Sequence, residues 1–152
     1  MSGIIAALYV ALTAIFAPIS FWAVQFRISE ALCVLPYFTP AAIPGVTLGC
    51  FLANLILGAP IYDVIFGTLA TLIGAVGSYM LRKNKWLVPI PPIISNVLII
   101  PFVLKYAYHA EDAVPFMMLT VGIGEILAIY VLGMILLLAL EKTKLFIAKK
   151  QK

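Results

Sequence analysis

Long apolar runs, broken only by short polar connectors, constrain this 152-residue chain more than any motif does. They cover residues 4–21, 31–38, 41–57, 61–81, 86–108 and 114–140. All but the second reach or approach the ~20 residues a helix needs to cross a hydrocarbon core about 30 Å thick. Charged residues make up 11% of the chain, whereas soluble domains carry roughly 25%. Little sequence remains for a soluble ATPase, a nucleic-acid-binding module or a large extramembrane enzyme. The expected fold is all-α, a single transmembrane domain over 1–152 with a basic tail at 142–152.

The run at 31–38 is too short to span on its own, and charge decides how to count it. Lys142, Lys144, Lys149, Lys150 and Lys152 crowd the tail, while Arg82, Lys83 and Lys85 flank another run. The positive-inside rule puts both regions in the cytoplasm, two spans apart. The connector with His109, Glu111 and Asp112 then falls outside, as does 54–63, and 36–40 falls inside. A cytoplasmic N-terminus requires two crossings before Pro40, so the short run counts as a span beginning as early as Arg27. The result is six transmembrane helices with both termini cytoplasmic; a five-span reading would put the N-terminus outside.

These flanks account for the net charge of +4, so no nucleic-acid partner is expected. No basic region precedes the first run, and a cleaved signal peptide is not expected. Cys33 and Cys50 lie in apolar surroundings without CxxC spacing. They read as buried free thiols, and neither a metal nor a cofactor is expected.

Small residues recur at four-residue spacing in three stripes: Gly3, Ala7 and Ala11; Gly45, Gly49 and Ala53; Ala70, Gly74 and Ser78. Such stripes let helix backbones approach closely in lipid, and internal packing is the plainer reading of any one of them. Pro89, Pro91 and Pro92 suit the start of the fifth helix, and Pro101 is expected to kink it.

Polar groups at membrane depth are costly and need a reason. Gln25, Arg27, Glu30, Tyr62 and Asp63 fall at outer span ends in this topology, with Asn54 within a turn, and are expected to ring an outward-facing cavity. Asn96 lies twelve residues in from Tyr108, and Glu125 eleven in from Val114. At 1.5 Å per residue both sit roughly 17 Å below the outer surface, so the two side chains of adjacent antiparallel spans are expected to meet as a pocket floor. Plainer roles stand beside these. Arg27 and Glu30 suit a local ion pair, Asp63 suits a helix N-terminus, and Asn54 and Asn96 suit interhelical hydrogen bonds. Glu125 has no basic residue at its depth, so it is protonated, paired with Arg27 through folding, or kept for a ligand. Trp22, Phe26 and Tyr62 could stack on a planar ligand, while most other aromatics read as interface anchors. The sequence has no P-loop, no H-E-x-x-H and no G-x-S-x-G, so neither ATP binding by a P-loop nor an enzyme is expected.

The block QFRISEAL at 25–32, LPYF at 35–38, AAIPGVTLG at 41–49, CFLAN at 50–54, DVIFGTLAT at 63–71 and Pro91-Pro92 before Asn96 resemble the QueT family. Its members are substrate-binding membrane subunits of energy-coupling factor transporters implicated in uptake of queuosine precursors. The resemblance implies six helices, a separate transmembrane scaffold subunit and two cytoplasmic ATPases, in a prokaryotic plasma membrane. It further implies that Ala7 and Ala11 match an A-x-x-x-A face that docks on the scaffold. A 7-deazaguanine presents adjacent N–H donors beside a carbonyl, which Glu125 and Asn96 would meet, with Gln25, Arg27 and Glu30 closing over the top. An aminomethyl arm would bring a cation to Asp63 or Glu30. A proton-coupled carrier using Glu125 and a ligand-free structural subunit are the competing classes. No convincing similarity between residues 1–75 and 76–152 favours the inverted repeats of such carriers.

Overall fold

The computed structural model describes residues 1–17, 27–107, 109, 111 and 113–143. Gln25, Trp22, Phe26, Tyr108 and the tail lysines beyond Lys142 lie outside the described residues. Six helices follow in order: α1 (Ser2–Ile15), α2 (Ile28–Tyr37), α3 (Ala42–Ile56), α4 (Ile61–Met80), α5 (Ile90–Ala107) and α6 (Val114–Lys142). No strand occurs among the described residues.

The distribution of side chains on α4 shows what solvent this fold expects. Its buried face carries Asp63, Gly67, Ala70, Thr71, Gly74 and Ser78, while Ile65, Leu69, Ile73, Val76 and Met80 point outward. Small and polar inside with large and apolar outside is the pattern of a helix in lipid, where close packing and interhelical hydrogen bonds hold the bundle. α4, α5 and α6 are long and apolar enough to cross a membrane, at 20, 18 and 29 residues. α1, α2 and α3 are shorter apolar helices.

α2 is wound as a 3-10 helix, which the apolar pattern alone does not distinguish from an α-helix. At about 2.0 Å per residue the tighter winding stretches its ten residues over roughly 20 Å, where an α-helix would reach about 15 Å. Every residue from Ser29 to Tyr37 is buried, as expected of a segment packed on all sides. It touches α1, α3, α4 and α6, while α1, α3, α4, α5 and α6 neighbour one another in that order around it.

Two of the small-residue stripes are internal. A Cβ on Gly49 would lie 2.6 Å from Tyr9 Cβ, and one on Gly74 would lie 2.6 Å from Pro92 Cα, so α1–α3 and α4–α5 approach too closely for a side chain. Ser78 Oγ donates to Val88 O at 2.7 Å and Ser95 Oγ to Ala70 O at 2.9 Å, closing the α4–α5 seam. The fifth helix starts at Ile90 rather than 86, because residues 81–89 run as consecutive turns. Pro101 is buried within it.

α6 is interrupted by one segment of wider winding. Ile126–Leu132 forms a π-helical segment directly after Glu125, packed against α2. At its far end Glu141 accepts from Tyr37 Oη at 2.7 Å and Lys85 Nζ at 3.3 Å. The 82–85 loop and the end of α6 therefore lie at the same end of the bundle.

Candidate functional site

The polar residues gather around α2, the one helix enclosed by the others. Glu30 and Cys33, three residues apart on it, meet through Cys33 Sγ donating to Glu30 Oε2 at 3.1 Å. Glu30 Oε1 accepts from Tyr9 Oη of α1 at 2.5 Å. Tyr9 reaches it because Gly49 on α3 lets the α1 backbone come close. Thr13 Oγ1, one turn further along α1, donates to Ser29 Oγ at 2.8 Å.

Arg27 precedes α2 in extended conformation. Its Nη2 lies 3.4 Å from Asp63 Oδ2, with both side chains almost wholly buried. This corrects the local Arg27–Glu30 pairing: the guanidinium bridges to α4, and Glu30 is engaged by Tyr9 and Cys33 instead. Asp63 lies in the first turn of α4, yet no side-chain cap closes that N-terminus. Asn54 Nδ2 contacts Asp63 O at 3.4 Å and Cys50 Sγ at 3.7 Å. Gly67 leaves room for both, since a Cβ there would lie 3.0 Å from Asp63 Oδ1.

Asn96 on α5 and Glu125 on α6 meet. Asn96 Nδ2 donates to Glu125 Oε2 at 2.8 Å, and both residues are buried. Six of the eight residues singled out from the sequence (Arg27, Glu30, Asn54, Asp63, Asn96 and Glu125) are thus buried and hydrogen-bonded, in three groups: Glu30 with Tyr9 and Cys33, Arg27 with Asp63 and Asn54, and Asn96 with Glu125. All six side chains are buried, Arg27 and Glu30 through the enclosure of α2 by its neighbours.

Tyr62 is placed elsewhere. It is 56% exposed and stacks at 6.5 Å on Phe66. Both line an apolar groove of about 500 Å³ with Leu98, Phe102 and Tyr106 between α4 and α5. One helical position separates it from Asp63, and the 100° step between them turns one inward and the other out. Gln25 lies outside the described residues. Tyr9 and Cys33 join the network although the sequence reading does not single them out. The available signal was that Tyr9 sits mid-run, away from the interfaces where a Tyr hydroxyl finds water, so it needs an internal partner.

Ala7 and Ala11 occupy the face of α1 opposite Tyr9 and are exposed, unlike the two internal stripes. With Gly3, Val10, Leu48 and Leu52 they line a shallow apolar groove of about 430 Å³ between α1 and α3.

A lipid-adapted helical bundle with charged and amide groups sequestered at its centre defines an integral membrane protein built to handle a solute. The sequence model of the QueT transporter family matches residues 1–142, and the chain belongs to that family. It is similar to the queuosine precursor transporter QueT of Lactococcus lactis subsp. cremoris (strain MG1363), with 43% identity over 73 residues. That alignment covers 47% of this chain and 43% of the relative, so the chain matches less than half of the relative's length. No solved structure matches it. Family and relative are transporters rather than enzymes.

Proposed function

We propose that this chain is the substrate-capturing subunit of an energy-coupling factor transporter, taking a queuosine precursor with a 7-deazaguanine base from outside the cell for ATP-driven uptake. The observation that carries the reading is the buried Asn96–Glu125 pair in a member of a transporter family. Burying a carboxylate against one neutral amide is costly unless a ligand completes its hydrogen bonds. Glu125 accepts the adjacent N–H groups of the base, and a second Asn96 N–H is left for its carbonyl. Arg27, locked to Asp63 and near Asn54, closes the site from the α4 side.

The chain crosses a prokaryotic plasma membrane six times with both termini cytoplasmic. Contact between Lys85 and Glu141 supports a common side for the two basic regions. The partners are a transmembrane scaffold subunit, seated on the exposed Ala7 and Ala11 face, and two cytoplasmic ATPases. The test is mass spectrometry of small molecules that co-purify with the chain. A deazapurine is the expected result, and a vitamin of another shape overturns the substrate while leaving the transporter class.

A further inference from the structure

The groove between α4 and α5 plays no part in the buried polar groups. It measures about 500 Å³, and Tyr62, Phe66, Leu98, Phe102 and Tyr106 line it. These five side chains are between 42% and 68% exposed, so the groove opens outward from the bundle. From Tyr106 to Leu98 it follows α5 for eight residues, about 12 Å at the helical rise. That is most of the ~15 Å that one leaflet contributes to the hydrocarbon core. Tyr62 stacks on Phe66 with 15° between the rings, which gives the groove one flat apolar wall.

The polar groups of the groove collect at one end. α4 begins at Ile61 and α5 ends at Ala107, so Tyr62 and Tyr106 mark the same mouth, at the end of the bundle opposite the 82–85 loop. Lys105 lies in the last turn of α5 and is exposed. It follows Phe102 by three residues and Leu98 by seven, which puts it on their helix face, at the groove's outer lip. Its ammonium meets no carboxylate among the described residues.

We propose that this groove seats one anionic phospholipid, with an acyl chain along Phe66, Phe102 and Leu98 and the phosphate on Lys105, Tyr62 and Tyr106. An ammonium and two phenols give the mouth five protons to donate, and phosphate oxygens accept from all of them. A lysine at the membrane surface adds attraction for a headgroup of net negative charge. The apolar grooves on either side of α3, of about 430 and 410 Å³, are smaller and have no tyrosine in their walls. A second copy packed here about a twofold axis would bring two Lys105 side chains together, and like charges disfavour that occupant.

Native mass spectrometry of the delipidated full chain in detergent tests the seat, by titration with phosphatidylglycerol or with phosphatidylcholine of identical acyl chains. One phosphatidylglycerol per chain is expected, bound about fivefold more tightly than phosphatidylcholine, the scale of one basic side chain at an anionic surface. Lys105→Gln is expected to bring phosphatidylglycerol down to the phosphatidylcholine level. Leu98→Trp fills the groove from an exposed position and is expected to abolish the single adduct of either lipid. Equal affinity for the two lipids in the unsubstituted chain overturns the proposal, as does a preference that persists in Lys105→Gln. An adduct that Leu98→Trp leaves intact puts the lipid elsewhere and refutes the groove as its seat. Chain dimers that form without lipid and disappear in Leu98→Trp would make the groove a contact between copies instead.

Discussion

At Glu125 a carboxylate only 3% exposed accepts from an amide rather than from a cation. If it takes two ligand N–H groups, Glu125→Gln keeps the shape but replaces one acceptor with a donor facing donors. The cost is expected to be about 2–4 kcal/mol, or roughly thirty- to thousandfold in affinity by calorimetry. Asn96→Ala is expected to weaken binding less, by about 0.5–1.5 kcal/mol, because a neutral partner is lost and water can replace it. A proton-coupled carrier predicts a different pattern, in which Glu125→Gln spares equilibrium binding and abolishes accumulation. Tyr9→Phe removes the phenol that orients Glu30. It is expected to cost about three- to tenfold in ligand affinity with the bundle intact by circular dichroism. Unchanged affinity would reduce Tyr9 to packing.

Among the elements, the three small-residue stripes look alike in sequence and differ in what they face. On α3 and α4 they are consumed by α1 and α5, whereas on α1 Ala7 and Ala11 remain open. The two kinds of substitution therefore part company. Gly49→Leu forces a side chain into Tyr9 Cβ and the Ala6 carbonyl and is expected to destabilise the isolated chain by about 1–3 kcal/mol, read by thermal unfolding in detergent. Ala7→Trp with Ala11→Trp is expected to leave ligand binding by the isolated chain unchanged while uptake with the scaffold and ATPases is lost. Equal loss of both would show the α1 stripe to be internal packing. The 3-10 winding of α2 had no signature in its apolar run. Its longer rise per residue goes with enclosure by four other helices, and that same enclosure takes Arg27 and Glu30 away from the surface.

For the whole molecule, topology is open to direct measurement. Cys33 and Cys50 are 0% and 1% exposed, so background labelling is small. An impermeant thiol reagent is expected to reach His109→Cys from outside the cell and Asn84→Cys only from the cytoplasmic side, and both residues are exposed. Labelling of both from one side would refute the six-span arrangement.

Sequence alone determined that the chain resides in lipid, where its apolar segments lie and which polar residues are out of place, because hydrophobic transfer and helical rise act locally along the chain. It also located Asn96 and Glu125 at one depth, since a short connector and a constant rise per residue set their levels. Tertiary structure decided Arg27's partner across 36 positions, the meeting of Tyr9 with Glu30, the outward turn of Tyr62 and which stripe stays open. Each of these depends on the rotation of one helix about its axis relative to another. That rotation is set by packing among several helices at once, and the period of any single segment does not contain it.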